Sequence, residues 1–305
     1  MEYELSTCRS NLSAINITEN ATCVPSYTLK QKVSLSGVGL FTGQPVIIEL
    51  VPAKMGTGII FERTDLPGSP RLLANLTNVI STPRCTILGS SQLSVQTVEH
   101  LLSALAVNGI NHVVIRLNGP EVPIFDGSAA EFVNAIEEAG IEPLLEKVPV
   151  FELKKPIYYS HGDIHMVGLP CDSYKVSYTL NYPGSLLMES QFFSLSINSS
   201  SFKNEIASSR TFSVYEEILP FIEKGLLKGG SLENAVLIKN DKVMNPDGLR
   251  FPNEMVRHKI LDLIGDLSLI GVPFKAHIIA IRSGHHANNV FAKEFLNHIN
   301  SELTQ

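Results

Sequence analysis

The run His258–Asp266, H-K-I-L-D-L-I-G-D, places a histidine and two aspartates at i, i+4 and i+8. On a helix of ~3.6 residues per turn all three fall on one face. Around them stand Met255, Val256, Ile260, Leu261, Leu263, Ile264, Leu267, Leu269 and Ile270, so most of the circumference is apolar. Such a helix belongs in an interior. Burial carries the polar stripe inside with it, where carboxylates persist only when paired, hydrogen-bonded or bound to metal. A histidine and an aspartate one turn apart can close on a single cation, and imidazole nitrogen with carboxylate oxygen suits zinc. The competing reading is a solvated polar edge on a half-exposed helix, and this segment alone leaves both open.

The rest of the chain narrows the setting. A length of 305 residues suggests two domains. Hydrophobic content of 44% with 18% charged residues describes a globular protein that can fill real cores. The net charge is −6 and Lys and Arg form no cluster, so no nucleic-acid partner is expected. No apolar run is long enough to span a bilayer. Cys8, Cys23, Cys85 and Cys171 make no C-x-x-C pair, which argues against a disulfide framework and against a thiolate zinc knuckle. Residues 1–29 are polar, lack the apolar core of a signal peptide, and read as a disordered N-terminal extension of a cytoplasmic protein. The sequons at Asn11, Asn16 and Asn20 would matter only in a glycosylating compartment.

From Lys30 the pattern turns strand-like, with β-rich runs at Val46–Val51 and Thr57–Glu62. Helical spacing follows over Thr97–Val107, and a strand over Asn111–Leu117. Asp126-Gly127 turns the chain into Ser128, which with Glu131 has the S-x-x-E form of a capping box for a helix running to Ala139. Gly140–Val150, with two prolines and mixed charge, reads as a linker. The second half repeats the theme, with strands at Val150–Tyr159, Ile164–Leu169, Lys175–Tyr182 and Ala276–Arg282. An echo joins the halves: H-V-V-I-R-L-N-G at His112–Gly119 against H-I-I-A-I-R-S-G at His277–Gly284. It points to duplication, although short echoes also arise by chance. Each half would be a small α+β layer, and sites form where such halves meet.

Three further places could bear chemistry. Glu99-His100 opens the first helix, and neighbouring helical residues diverge by ~100°. That suits His100 as a ligand with Glu99 off the metal beside a bound water; a charged residue at a helix start is the ordinary alternative. His285 follows a strand in R-S-G-H-H, well placed for acid–base work on a loop or, equally, part of a surface turn. Thr211, in S-R-T-F, offers a hydroxyl to an oxyanion or simply a cap. His286, His161, His165 and His298 read as surface residues, and His112 and His277 receive no role. Gly229-Gly230-Ser231 lacks the G-x-x-x-x-G-K-[ST] pattern, so a P-loop is rejected. No G-x-S-x-G elbow exists.

Together these segments resemble the zinc-dependent UDP-3-O-acyl-N-acetylglucosamine deacetylases of lipid A biosynthesis. The matching pieces are G-V-G-L-F-T-G (37–43), T-V-E-H-L-L (97–102), G-P-E-V-P-I-F-D-G-S-A (119–129), S-R-T-F (209–212), K-G-G-S-L-E-N-A (228–235), N-P-D-G-L-R-F (245–251), R-H-K-I-L-D-L-I-G-D-L (257–267) and S-G-H (283–285). They occur in family order over 30–300.

The resemblance implies an α+β fold of two similar domains, 30–145 and 146–305, each a layered sheet with helices, the helices sandwiched between the outer sheets. It implies that His100, His258 and Asp262 hold zinc, with ferrous iron an alternative occupant in the cell. Glu99 becomes the general base, His285 the general acid and Asp266 its orienting partner. Lys259 and Thr211 help bind the reacting group and oppose charge on its oxygen. An insert at about 213–244 would enclose the substrate's acyl chain, with Phe212 at its mouth and Leu226 among its contacts. The partner is an acylated UDP-sugar, whose lipid chain allows transient contact with a membrane surface. Phe41 departs from the pattern, since the family has histidine there; it is neither a ligand nor an assigned acid or base. Two other functions compete, a sugar-nucleotide-binding protein without chemistry and a zinc amidohydrolase for another N-acyl substrate. The joint presence of Glu99, His100, His258, Asp262, Asp266 and His285 weighs against the first.

Overall fold

The computed structural model describes residues 22–303. The expected extension at 1–21, with its three sequons, lies outside the described residues. The chain runs through β1 (Cys23–Leu29), β2 (Val33–Val38), β3 (Pro45–Pro52), β4 (Ile59–Arg63) and β5 (Arg71–Leu73). Next come β6 (Val79–Ser81), β7 (Ile87–Gly89), β8 (Ser94–Gln96), α1 (Glu99–Val107), β9 (Val113–Leu117), α2 (Ala130–Ala139) and β10 (Ile141–Pro149). The second half holds β11 (Phe151–Glu152), β12 (Ile157–His161), β13 (Ile164–Leu169), β14 (Tyr174–Leu180), β15 (Gln191–Ser196) and α3 (Ser199–Glu205). It closes with β16 (Phe212–Val214), α4 (Tyr215–Glu223), β17 (Val236–Lys239), β18 (Lys242–Val243), α5 (Glu254–Ser268), β19 (Phe274–Ile281) and α6 (His285–Leu303).

The two large sheets have one topology. The first is ordered β2-β3-β9-β4-β5 and the second β12-β13-β19-β14-β15, with β11 alongside β19. In each, the last strand sits in the middle, antiparallel to the second and parallel to the third. A parallel pair needs a long crossover, and α1 fills it in the first half as α5 does in the second. α2 and α6 then follow the central strands. The sequence echo falls on these central strands, β9 and β19, whose inward residues alternate as Val113, Ile115, Leu117 and as Ala276, Ile278, Ala280. The architecture is thus α+β and twofold, as the resemblance implies.

Each half carries a different excursion between its fourth strand and its crossover helix. The first has the small antiparallel sheet β6-β7-β8. The second has α3, which precedes the expected insert, and then β16-β17-β18 with α4, which together span it. The crossover helices pack on each other, and α5 also lies against β14 and β15. Gly265 makes that contact possible, because a β-carbon there would collide with the Glu99 carbonyl oxygen. The start of α1 therefore touches the middle of α5.

Three expectations are corrected. The extension does not reach residue 29: β1 pairs antiparallel with β10 and buries Ser26, Thr28 and Leu29. The expected linker at Gly140–Val150 is largely β10 itself. Its prolines, Pro143 and Pro149, lie opposite Tyr27 and Cys23 in a two-stranded ribbon, where a missing N–H is tolerated on the open side. The capping box at Ser128 does not form. Helix α2 starts at Ala130, whose own N–H, and not that of Glu131, donates to the Ser128 hydroxyl at 3.2 Å. The Ser128 N–H that Glu131 would have to reach donates to Asp126 Oδ1 at 3.1 Å.

Candidate active site

The polar face of α5 is buried, as its apolar surroundings require. His258, Asp262 and Asp266 are each no more than 3% exposed. His100, from the first turn of α1, meets them across the contact that Gly265 permits. One nitrogen or oxygen from each of His100, His258 and Asp262 lies within 4.8 Å of the others. Asp262 Oδ1 stands 3.3 Å from His258 Nε2 and 3.7 Å from His100 Nε2. Two ligand bonds of about 2.0–2.1 Å meeting at the tetrahedral angle put their atoms roughly 3.3 Å apart.

The hydrogen bonds around the triad leave these atoms free for a cation. A carbonyl oxygen only accepts, so at the 3.0 Å contact with Ser209 O the His258 Nδ1 carries a proton, and Nε2 is the nitrogen turned towards Asp262. Lys259 Nζ donates to Asp262 Oδ2 at 2.8 Å, while Oδ1 is buried without a hydrogen-bond partner. Burial and the neighbouring His258 push the His100 imidazole down to about 3, so it is neutral and able to ligate. Burial alone would raise Asp262, but His258 and Lys259 hold it well below the usual carboxylate range. An orphaned carboxylate oxygen between two imidazole Nε2 atoms fits a metal ion. Three protein donors leave the fourth position of a tetrahedral ion open.

Beside the triad lies a second group. Glu99 Oε1 is 3.7 Å from His285 Nε2, and Glu99 Oε2 accepts the Thr86 backbone N–H at 3.1 Å. His285 Nδ1 donates to Asp266 Oδ2 at 2.9 Å, which turns Nε2 towards Glu99. Asp266 also accepts from Asn288 Nδ2 at 2.8 Å and from the Thr86 hydroxyl at 2.6 Å. Burial raises the Glu99 carboxyl to about 7. Burial would depress His285, but the Asp266 and Glu99 carboxylates outweigh it and lift the imidazole to about 9. Perturbed groups of this kind concentrate at functional sites.

All of this opens on a cleft of about 590 Å³ lined by both halves. Glu99, His100, Thr211, Phe212, His258, Lys259, Asp262 and His285 line it; Asp266 stands behind His285. Thr211 is fixed by its backbone, which donates to Gly127 O and accepts from Val236 N, both at 2.7 Å. Behind it Arg210 forms a buried pair with Glu254 in the first turn of α5, Nε to Oε1 at 2.8 Å. Phe212 packs edge-on near His258, their ring centroids 6.5 Å apart. Leu226 is 46% exposed and lies outside the lining, which takes its neighbour Leu227 instead. A turn within the insert, with Leu227 at φ 59°, directs one side chain out and the other in. Phe41 lines the cleft, its loop held by Glu121, which accepts the N–H groups of Phe41 and Thr42 at 2.8 Å each. His161 and His286, read as surface residues, line it too.

The fold and the site define a hydrolase-like centre, with a buried triad able to hold a metal ion and a carboxyl–imidazole pair shared between two repeats. Comparison with known proteins gives the family. A family model described as UDP-3-O-acyl N-acetylglycosamine deacetylase matches residues 26–297. The chain is 46% identical over 269 residues to the UDP-3-O-acyl-N-acetylglucosamine deacetylase of Chlamydia felis, covering 88% of this chain and 96% of that protein. The enzyme of the same name from Chlamydia pneumoniae is 46% identical over 270 residues, with the same coverage. That of Chlamydia trachomatis serovar L2 is 44% identical over 275 residues, or 90% of this chain and 96% of the relative. The chain belongs to the UDP-3-O-acyl N-acetylglycosamine deacetylase family.

Proposed function

We propose that this chain hydrolyses the N-acetyl group of UDP-3-O-acyl-N-acetylglucosamine, releasing acetate and the free 2-amino sugar nucleotide, as a cytoplasmic step of lipid A biosynthesis. The observation that carries the reading is the pairing of a ligand triad (His100, His258, Asp262) with Glu99 and His285 at one cleft. Zinc suits the N,N,O donor set, and ferrous iron is the alternative occupant. The metal's contribution when bound is Lewis acidity, which polarises a carbonyl and lowers the pKa of water.

The chain's own groups supply the proton traffic. Glu99 Oε1 takes the proton of the attacking water, while Thr86 N–H keeps Oε2 occupied. Negative charge gathers on the acetamide oxygen, where the Lys259 ammonium and the Thr211 hydroxyl oppose it. Burial would discharge Lys259, but Asp262 and the nearby phenols keep its pKa raised, so it stays cationic. An amine is a poor leaving group until protonated, and His285 Nε2–H provides that proton. Asp266 holds the imidazole by Nδ1 throughout. Apolar residues of the insert, Ile218 and Leu227, face the same cleft beside Phe212 and give the 3-O-acyl chain a surface to lie on.

Acetate release is the test. The purified protein should deacetylate the acylated sugar nucleotide, lose activity with a chelator and regain it with zinc. No release from this substrate, with release from another N-acyl compound, would place the chain's chemistry elsewhere.

A further inference from the structure

We infer that Thr86 is a positioning residue that locks the proton-accepting and proton-donating sides of the site to each other. The inference rests on the roles given above to Glu99 and His285. Thr86 lies just before β7, in the excursion of the first half, and is 1% exposed. It follows Arg84, whose φ of 79° marks a tight turn that delivers the segment to the floor of the cleft.

Its two donors serve the two sides separately. The backbone N–H donates to Glu99 Oε2 at 3.1 Å, leaving Oε1 to face His285. The hydroxyl donates to Asp266 Oδ1 at 2.6 Å. An ionised carboxylate only accepts, so this proton belongs to Thr86 and its direction is fixed. Asp266 Oδ2 is then left for His285 Nδ1 and Asn288 Nδ2. The carboxylate has both oxygens occupied and cannot rotate without breaking a bond to the imidazole. Thr86 Oγ1 also sits 3.5 Å from His285 Nδ1, too far for a good bond but near enough to bar rotation of the ring.

The contact joins the halves as well. Glu99 and Thr86 come from the first repeat, and Asp266, His285 and Asn288 from the second. Across a chain separation of 180 residues, one side chain sets how the Asp266–His285 pair faces Glu99. Displacements of a fraction of an ångström between such groups slow a reaction without weakening substrate binding.

The test is steady-state acetate release by the zinc-loaded protein and its Thr86→Val, Thr86→Ser and His285→Ala variants, with metal content and thermal unfolding measured on each. Thr86→Val keeps the N–H and the shape but loses the hydroxyl. Its kcat should fall about ten- to hundredfold, the usual cost of an outer hydrogen-bond partner, with KM and metal content unchanged. Thr86→Ser restores the hydroxyl and should return kcat to near wild type. A Thr86→Val kcat near wild type, beside a crippled His285→Ala, overturns the Thr86 role alone. Equal losses in Val and Ser variants overturn it too, because a restored hydroxyl would then fail to restore the rate and the fit of the whole side chain would be what matters. A fully active His285→Ala protein removes the reading on which the inference rests.

Discussion

The crossover helices α1 and α5 hold the same place in two copies of one topology, yet they contribute differently. Helix α1 gives its first turn, Glu99 and His100, as adjacent residues that diverge around the axis. Helix α5 gives its length, with His258, Asp262 and Asp266 in line along one face. The ends of the central strands differ in the same way. After β9 the chain reads N-G-P, and Asn118 Oδ1 serves the sheet by accepting Ile47 N–H at 2.7 Å. After β19 it reads S-G-H, and the residue in the place of Pro120 is His285. Duplication supplies two equivalent scaffolds facing each other, and chemistry needs only a few unlike residues where they touch.

The largest expected effect tests whether both helices hold the metal. His258→Ala and His100→Ala should each lose stoichiometric zinc by elemental analysis and lower acetate release to background. A His100→Ala protein that keeps its metal would make α5 the sole ligand helix and end the shared-site account.

The equivalent strand ends offer the next contrast. His285→Ala should lower kcat by roughly two to four orders of magnitude, the range of a positioned acid, with metal retained. Pro120→Ala, at the matching place of the first half, should leave kcat unchanged. Comparable losses at both would show that the strand ends matter for folding and not for proton transfer.

The two groups also titrate in opposite senses. With Glu99 raised to about 7 and His285 to about 9, kcat/KM should climb as Glu99 loses its proton and decline as His285 loses its own. Glu99→Gln should remove the acidic limb from whatever activity remains. A wild-type profile flat from pH 6 to 10 would contradict the pairing.

The excursions should give the smallest effect. The second excursion presents Ile218 and Leu227 to the cleft where the first presents Thr82, Arg84 and Cys85, and each buried methylene of a substrate is worth up to ~0.8 kcal/mol, or several-fold in affinity. Catalytic efficiency should rise with acyl length and then level off. Bulkier residues at Leu227 should shorten the optimum, while the same change at exposed Leu226 should not. Equal efficiency on acylated and non-acylated sugar nucleotide would assign the lining to packing alone.

Much of this site is legible from sequence because its determinants are local. The i, i+4, i+8 stripe on an apolar helix forces buried carboxylates, and the E-H pair and the S-G-H segment stand at element ends that periodicity marks. The order of the motifs brought the family, and with it the twofold fold. The rest depends on contacts that leave no local pattern. Thr86 sits in R-C-T-I-L, which reads as the start of an ordinary strand, and its partner is 180 residues away. Asn288 shows no signal beyond helical polarity. Strand β1 leaves no local signal because the strand it pairs with, β10, contains two prolines and charges that read as a linker. The Ser128 box does not form because Asp126, two residues earlier, takes the Ser128 N–H and the Ser128 hydroxyl accepts from Ala130.

The central claim is that adjacent residues on α1 do separate jobs, His100 holding metal and Glu99 moving a proton. The most direct measurement is metal content and acetate release on one preparation of Glu99→Gln. The account predicts full zinc occupancy with turnover lower by roughly two to four orders of magnitude. Turnover near wild type at full occupancy, or loss of the metal along with the activity, would contradict it.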